Sequence, residues 1–301
     1  MNPVNTKPYS LPPDATWLIT GCSSGIGKAI ASLIATKVSS GQRLIATARD
    51  PSSLSYLPDD NPNILKLRLD VTSPKSVTAA FSDAAKHFGS NFRLDVIINN
   101  AGYSLSGDTE SATEDETHKE TETLFFGTAR MTTAAIGVMR QAAGRGGIIF
   151  NISSLAGQCA FPGHAYYHAG KWAVEGWTES VAKEMHPDWN INFCIVEPSG
   201  VKTEFEGHSK AHTRPHPAYQ GADMPARRLE MFVRKGIEMG MGMMEPSDIA
   251  DALYKIASRG ECVPLRLPLG ATAWKMVKAK HEGALGELEK VKGISGMGQE
   301  L

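Results

Sequence analysis

Short, continuous apolar runs alternate with longer segments of helical pattern along most of this 301-residue chain. That rhythm restricts the folds open to it. The runs are Thr16–Thr20, Arg43–Ala48, Ile64–Leu69, Leu94–Ile98, Gly147–Ile152 and Asn190–Val196. Several lack the apolar–polar alternation of a strand with one wet face, as expected of strands covered on both sides. Between them lie Gly25–Val38, Pro74–Phe88, Asp115–Met139 and His164–Met185, amphipathic or rich in small residues. Strand–helix alternation predicts an α/β, doubly wound parallel sheet with helices on both faces and right-handed crossovers.

Three stretches fall outside the rhythm. Residues 1–14 are polar and proline-rich, without the apolar centre of a signal peptide, and read as a disordered tail. Residues 203–245 are rich in methionine, glycine and histidine, with a helical stretch near Ala226–Lys235. They follow the sixth strand and are placed to form a lid over the carboxyl ends of the sheet. Residues 246–301 read as a C-terminal extension: helix, a short Cys262–Leu267 strand, then a charged helix ending near Lys292. No Pro/Ser-rich linker interrupts the chain, so residues 15–301 are expected to form one domain.

A net charge of −1 implies no nucleic acid or other polyanion as partner. No apolar run approaches the ~20 residues of a membrane helix. Cys22, Cys159, Cys194 and Cys262 are scattered, and the histidines do not cluster, so neither a metal site nor a disulfide framework is expected. Reduced thiols suit a cytoplasmic protein.

Thr20-Gly21-Cys22-Ser23-Ser24-Gly25-Ile26-Gly27 follows the first run and opens a helix. A glycine turn there lets backbone N–H groups approach a phosphate, and the helix N-terminus adds favourable partial charge. The spacing is neither G-x-G-x-x-G nor a Walker A loop, because Ala29 follows Lys28. Gly21 to Gly25 also satisfies G-x-S-x-G, the nucleophile elbow of hydrolases, which keeps a serine hydrolase using Ser23 open. Its weakness is its place after the first strand rather than deep inside the sheet.

A second constellation follows the fifth run. Ser153 and Ser154 end that strand, and Tyr166, Tyr167 and Lys171 begin the next helix. Tyr167 and Lys171 are four apart and share a helical face. Carbonyl reduction needs an acid for the developing alkoxide. A tyrosine, with an ordinary pKa near ~10, becomes usable when a neighbouring ammonium favours its phenolate. A serine hydroxyl at the strand end suits a carbonyl oxygen. Spacing alone leaves Ser153 and Tyr166 as rivals.

Taken together, these residues resemble the short-chain dehydrogenase/reductase family from about Thr16 to Phe205. The family's T-G-x-x-x-G-x-G is met by Thr20 to Gly27, its N-N-A-G by Asn99 to Gly102, and its Y-x-x-x-K by Tyr167 and Lys171. The family serine stands thirteen residues before the tyrosine, which selects Ser154. The resemblance implies a Rossmann-like fold and an oxidoreductase with Ser154, Tyr167 and Lys171 as catalytic residues. It assigns cofactor contacts to Gly21, Ser23, Ser24, Gly25, Ile26, Asn100, Ala101 and Gly102, and places Asp70 and Val71 beside the adenine. Pro198, Val201 and Thr203 fall where the family meets the nicotinamide, and Lys171 also holds the ribose. Members often form homodimers or homotetramers through the fourth and fifth helices, and the tail is placed to interfere. Pro264 to Gly270 resembles members with an extended C-terminus that act on lipophilic alcohols.

One position departs clearly. The family places an asparagine in its fourth helix to support a water chain from the lysine to solvent. Leu124 occupies that position. Gly170 for serine and Ser199 for glycine are milder departures. Leu124 keeps open a cofactor-binding protein of altered or lost redox activity.

NAD sites carry a carboxylate at the end of the second strand, whereas NADP sites carry an arginine nearby. Ala48 removes the carboxylate and Arg49 suits a 2′-phosphate, with Asp50 as the counter-argument. NADP(H) is the expected cofactor. Met231, Met239, Met241, Met243, Met244, Phe205 and Phe232 suggest a bulky, lipophilic carbonyl or alcohol substrate, the alternatives being lid packing or a subunit contact.

Overall fold

The computed structural model describes residues 4–141, 146–204, 209–239 and 243–296. Its strands are β1 (Thr16–Ile19), β2 (Arg43–Ala48), β3 (Ile64–Arg68), β4 (Val96–Asn99), β5 (Ser104–Ser106), β6 (Gly147–Ile152), β7 (Ile191–Pro198), β8 (Lys210–His212) and β9 (Arg266–Leu269). Seven form one sheet in the order β3-β2-β1-β4-β6-β7-β9, and every neighbouring pair is parallel. The helices are α1 (Gly25–Ala35), α2 (Pro74–Phe88), α3 (Glu114–Thr121), α4 (Thr128–Gln141), α5 (Ala165–Glu184), α6 (Pro225–Glu238), α7 (Pro246–Ser258) and α8 (Ala271–Ser295). The doubly wound parallel sheet expected from the apolar rhythm is the one observed, and it is Rossmann-like, as the resemblance implied.

Continuous apolar runs make such strands because both sheet faces are covered, and successive side chains point to opposite faces. Trp17 and Ile19 of β1 join Ile30 and Ile34 of α1 and Ile249 and Leu253 of α7. Leu18, between them in sequence, joins Ile97 of β4, Val77 of α2 and Met131 of α4 on the other side. Each large side chain removed from water stabilises the fold by about 1.5–3 kcal/mol before entropy is counted. The helix starts are locally encoded. Ser73 caps α2 with Pro74 as its first residue, and Thr113 and Glu116 form a capping box at α3.

The expected Asp115–Met139 helix is divided. A π-helical turn, Glu122–Gly127, separates α3 from α4 and contains Leu124. Wide turns of this kind reorient a helix face without ending it. The last strand also falls later than expected, at Arg266–Leu269 instead of Cys262–Leu267. The Val263 carbonyl is taken up by the Asn5 carboxamide, so pairing to β7 begins at Leu265, whose carbonyl accepts from Ile195 N at 2.7 Å. Pro268 is tolerated because β9 is an edge strand. Arg266 then ties this edge inward, at 3.2 Å to Glu175, 2.8 Å to Glu179 and 3.7 Å to Glu197.

Residues 1–3 of the tail expected over residues 1–14 lie outside the described residues; from residue 4 the segment packs on the sheet edge. Asn5 Nδ2 donates to the Phe193 and Val263 carbonyls, both at 2.8 Å. Its Oδ1 accepts from Phe193 N at 3.0 Å. Tyr9 is 1% exposed, and its backbone N donates to the Glu261 carbonyl at 3.2 Å. One polar side chain here satisfies three backbone groups that the sheet would otherwise leave buried and unpaired. Asn5→Ala is therefore expected to lower stability by about 1–3 kcal/mol. The measurement is the urea midpoint at unchanged m-value. An unshifted midpoint would restore the loose-tail reading.

Candidate active site

Strand order reverses between β1, which leads outward to β2 and β3, and β4, which leads the other way. A crevice opens at such a reversal, at the carboxyl ends of the strands. Thr20 and Asn100 build its floor. Thr20 Oγ1 accepts from Asn100 N at 2.9 Å and from Ala101 N at 3.0 Å. Asn100 Nδ2 returns bonds to the Thr20 and Gly21 carbonyls at 2.9 and 3.1 Å. Asn99 faces inward, donating to Thr132 Oγ1 and Asn151 Oδ1 at 2.9 and 2.8 Å.

The glycine turn lies on this floor, and its glycines are sterically required. Gly21 has φ +71, and a Cβ there would lie 3.0 Å from Ala101 Cα. A Cβ at Gly27 would lie 2.2 Å from the Gly21 carbonyl oxygen. Gly25 has φ +55, and Thr203 Cγ2 stands 3.2 Å from where its Cβ would be. Ser24 caps α1 without a side-chain hydrogen bond, so the first N–H groups of that helix have no side-chain cap. A tight backbone cradle with donors at an 11-residue helix's N-terminus fits a dinucleotide pyrophosphate. Ser23 is exposed, Ile26 is half-buried against the core, and Gly102 faces Leu124. Cys22 is buried, which pushes its thiol up to about 12 and keeps it neutral.

The other expected cofactor residues are distributed around the crevice. Arg49 is exposed beyond β2. Asp50 is occupied as a cap, accepting from Ser52 N at 3.0 Å and Ser52 Oγ at 2.7 Å. Asp70 Oδ1 is taken up by Thr72 N and Oγ1 at 3.0 and 2.7 Å. Val71 packs against Gly127, and its carbonyl accepts from Arg130. Pro198 ends β7, buried. Val201 forms an isolated bridge to Met244, which brings the two ends of the 203–245 region together. Within them, β8 pairs with β5, and Arg227 of α6 reaches the buried Asp108 at 2.6 Å. No side chain of α6 is buried; Met231, Phe232 and Met239 are exposed. Phe205 and Met241 lie outside the described residues.

Lys171 links the strand end to the tyrosine. Its Nζ donates to the Ile152 carbonyl at 2.7 Å and stands 5.7 Å from the Tyr167 ring centroid. Ser154, two residues past Ile152, is half-buried, and its Oγ accepts from Ala156 N at 3.1 Å. Among the described residues its O–H makes no hydrogen bond of its own. Ser153 is 2% exposed and turned beneath Gly157. His168 is locked between the Ala156 carbonyl and Phe161 N, at 2.7 and 2.8 Å, and His164 Nε2 meets Ser106 Oγ at 3.2 Å. Both are thus engaged at the Ser154 end of the crevice. Burial lowers Lys171 to about 8, against the upward pull of Glu120 and then Glu175. Behind this turn, Leu155 and Cys159 pack on Ala273 of α8.

Sequence reasoning missed Glu120. It stands in a run of charged residues that reads as a wet helix face, yet it is fully buried. Its Oε1 accepts from Leu105 N at 2.6 Å. Burial raises its carboxyl to about 7, opposed by that bond and by the Lys171 charge.

Two of the sequence departures meet in space. Leu124 is 2% exposed. A Cβ at Gly170 would be 3.0 Å from Leu124 Cδ1, and one at Gly102 would be 2.9 Å from Leu124 Cδ2. The leucine is a wedge between two glycines. Gly170→Ser is expected to destabilise by about 1–3 kcal/mol through overpacking. Combined with Leu124→Asn the loss should shrink, a coupling of about 0.5–3 kcal/mol in a double-mutant cycle. Additive losses would show that the two positions are independent.

The model of the short-chain dehydrogenase family matches residues 15–214. Oxidoreductase calM of Penicillium decumbens is 68% identical over 98% of this chain and 96% of its own. An oxidoreductase of Schizosaccharomyces pombe is 36% identical over 91% of this chain and 88% of its own. The crystal structure of a short-chain dehydrogenase from Streptomyces avermitilis superposes with a TM-score of 0.80 at 32% identity, covering 93% of this chain and 97% of that one. Other solved structures of the same fold hold NADP in some cases and NAD in others.

Proposed function

The chain belongs to the short-chain dehydrogenase family of oxidoreductases, and on that premise we propose that it interconverts a carbonyl and a secondary alcohol using NADP(H). The observation that carries the reading is the buried ammonium of Lys171, held by the Ile152 carbonyl and set over Tyr167. A bound nicotinamide nucleotide would supply or accept the hydride. Ser154 donates its O–H to the substrate oxygen. Tyr167 gives its phenolic proton to that oxygen in reduction and takes it back in oxidation. Lys171 favours the phenolate left behind, because a positive charge in a poorly solvated site interacts strongly with a nearby negative one. Gly21, Ser23, Ser24, Gly25 and Ile26 hold the pyrophosphate end. Asn100, Ala101, Gly102, Pro198, Val201 and Thr203 line the remainder, with Asp70 and Val71 at the adenine. The exposed apolar side of α6 supports a lipophilic substrate, since the other described residues leave it uncovered.

Tyr167→Phe removes the transferable proton and keeps the ring. Carbonyl reduction, followed by cofactor absorbance over a panel of aryl and small polar ketones, should fall by about 10²–10⁴-fold. Undiminished turnover in Tyr167→Phe would sink the assignment, and turnover of the small polar ketones alone would sink the lipophilic substrate.

NADP(H) is favoured because Ala48 offers no carboxylate at the end of β2 and Asp50 is committed to its cap. That leaves Arg49 as the charged group for a 2′-phosphate. In Arg49→Ala the KM for NADPH should rise by about tenfold or more while that for NADH stays level, matching the loss of one charge-assisted contact. Equal effects on both nucleotides would assign Arg49 to the solvent.

A further inference from the structure

Behind the proposed site, four side chains from four segments close into a buried quartet. Glu175 of α5 and Glu197 of β7 are 4% and 0% exposed. Gln158 stands four residues past Ser154. Its Nε2 donates to Glu175 Oε2 at 3.1 Å and to Glu197 Oε1 at 3.2 Å. Arg266 of β9 meets the same two oxygens, its Nε at 3.2 and 3.7 Å. The second arm of its fork donates to Glu179 Oε2 at 2.8 Å. Among the described residues, Arg266 is the one cation paired with either buried acid.

Each member of the quartet belongs to a different part of the site. Tyr167, Lys171, Glu175 and Glu179 follow at intervals of four. One face of α5 therefore carries the proposed proton donor, its lysine and the two acids that Arg266 grips. Glu197 immediately precedes Pro198. Gln158 is joined back to Ser154 by a tight turn. The Ser154 carbonyl accepts from Gly157 N at 2.8 Å, and the Leu155 carbonyl from Gln158 N at 3.0 Å. The middle of that turn is tied to α5, because the Ala156 carbonyl accepts from His168 Nδ1 and Trp172 Nε1 at 2.7 and 3.1 Å. The quartet ties its far end. Without the guanidinium, two buried acids from separate elements would share one carboxamide and no counter-charge, which is costly.

We propose that Arg266 is a positioning residue for the reaction: by holding Glu175, Glu197 and Gln158 together, the C-terminal extension sets the Ser154 hydroxyl against Tyr167 and Lys171. The inference rests on the oxidoreductase reading and deepens it. Arg266 touches no reacting atom. It acts on the separation between the Ser154 turn and α5, which decides whether one substrate oxygen can meet both the serine hydroxyl and the phenol.

Charge separates this role from plain packing. Burial and then Glu175 raise the Glu197 carboxyl to about 8, and burial raises Glu175 as well. Loss of the guanidinium raises both further. The variant then binds more protons than the wild type, so its deficit grows as pH rises. The other groups facing the quartet are Lys171, Glu179 and Lys183 of α5, Cys159 after the turn, Cys194 of β7, Arg259 after α7 and Lys280 of α8. Glu179 is held below the ordinary carboxylate range by Lys183 and Arg266, and burial raises both thiols. Lys171, at about 8, titrates alongside Glu197. Rates are therefore compared as the ratio of wild type to variant, and Glu197→Gln is added to remove the acid itself.

Arg266→Met keeps an unbranched stem and removes the charge. With acetophenone and NADPH, its kcat should fall by about tenfold or more, within the hundredfold that a 1 Å misplacement can cost, while KM for NADPH stays level. The deficit should be larger at pH 9 than at pH 6. Adding Glu197→Gln, which keeps an oxygen for Gln158 Nε2, should restore part of kcat and flatten the pH dependence. Full kcat in Arg266→Met, a deficit equal at both pH values, or no restoration by Glu197→Gln would overturn the proposal. If Arg266→Met does not fold, Arg266→Lys takes its place. Lysine keeps the charge but cannot span Glu175 and Glu179 with one planar fork, so kcat should still fall, and wild-type kcat there would overturn the proposal.

If the wild-type protein reduces no carbonyl, the oxidoreductase reading fails on its own. Hydrogen exchange of the Ala156–Cys159 amides, in protein without substrate, then decides whether Arg266 holds the turn. Their protection should drop by about tenfold or more in the Arg266 variant, as local opening becomes easier, and unchanged protection would overturn the hold.

Discussion

Where β1 and β4 part company, their backbone pairing ends and the groups beyond it need other partners. Thr20 and Asn100 provide them. One hydroxyl accepts two backbone N–H groups, and one carboxamide donates to two carbonyls. Without these four bonds the splayed strand ends would leave buried polar backbone unsatisfied, at about 1–3 kcal/mol for each group. The rest of the site is measured from this floor. The glycine turn presses so closely on Ala101 and Asn100 that no side chain fits at Gly21 or Gly27. Gly102, the next residue along, meets the Leu124 wedge, and the wedge meets Gly170, one residue from Lys171. A short chain of contacts thus connects the phosphate end of the crevice with the proton-handling end.

The C-terminal extension works on the same site from behind. Arg266 draws three acidic side chains from α5 and β7 toward the edge strand. Burial and Glu175 raise the Glu197 carboxyl to about 8, so this arginine offsets a crowding of acids that would otherwise disfavour the fold. Further on, α8 lays Ala273, Met276 and Val277 against the turn that follows Ser154. Lys280 stacks on the Trp172 ring and bonds the Gln158 carbonyl. The segment that presents Ser154 is consequently gripped by two layers instead of facing water.

Much of this was legible in the sequence, for a physical reason. Strands covered on both faces must be continuously apolar, so the six central runs declared themselves. The unread parts depend on partners distant in the chain. Asn5 looks like a solvated tail residue until its carboxamide is set against Phe193 and Val263. Three-residue strands such as β5 and β8 are too short to show a period. Glu120 sits among Glu114, Asp115, Glu116 and Glu122 and reads as one more wet charge. Only the close approach of β5, whose Leu105 N takes its oxygen, shows that it faces inward. The π-helical turn around Leu124 likewise leaves no mark in composition.

The contact between Leu124 and Gly170 also couples what each position can hold. A serine at 170 and a leucine at 124 would contend for the same volume, whereas a glycine at 170 beside an asparagine at 124 leaves only a little slack. The tolerable order of change therefore runs through the glycine first and the leucine second. The wedge makes a change at one position alone difficult: a polar residue at 124 empties a packed position before anything at 170 can refill it.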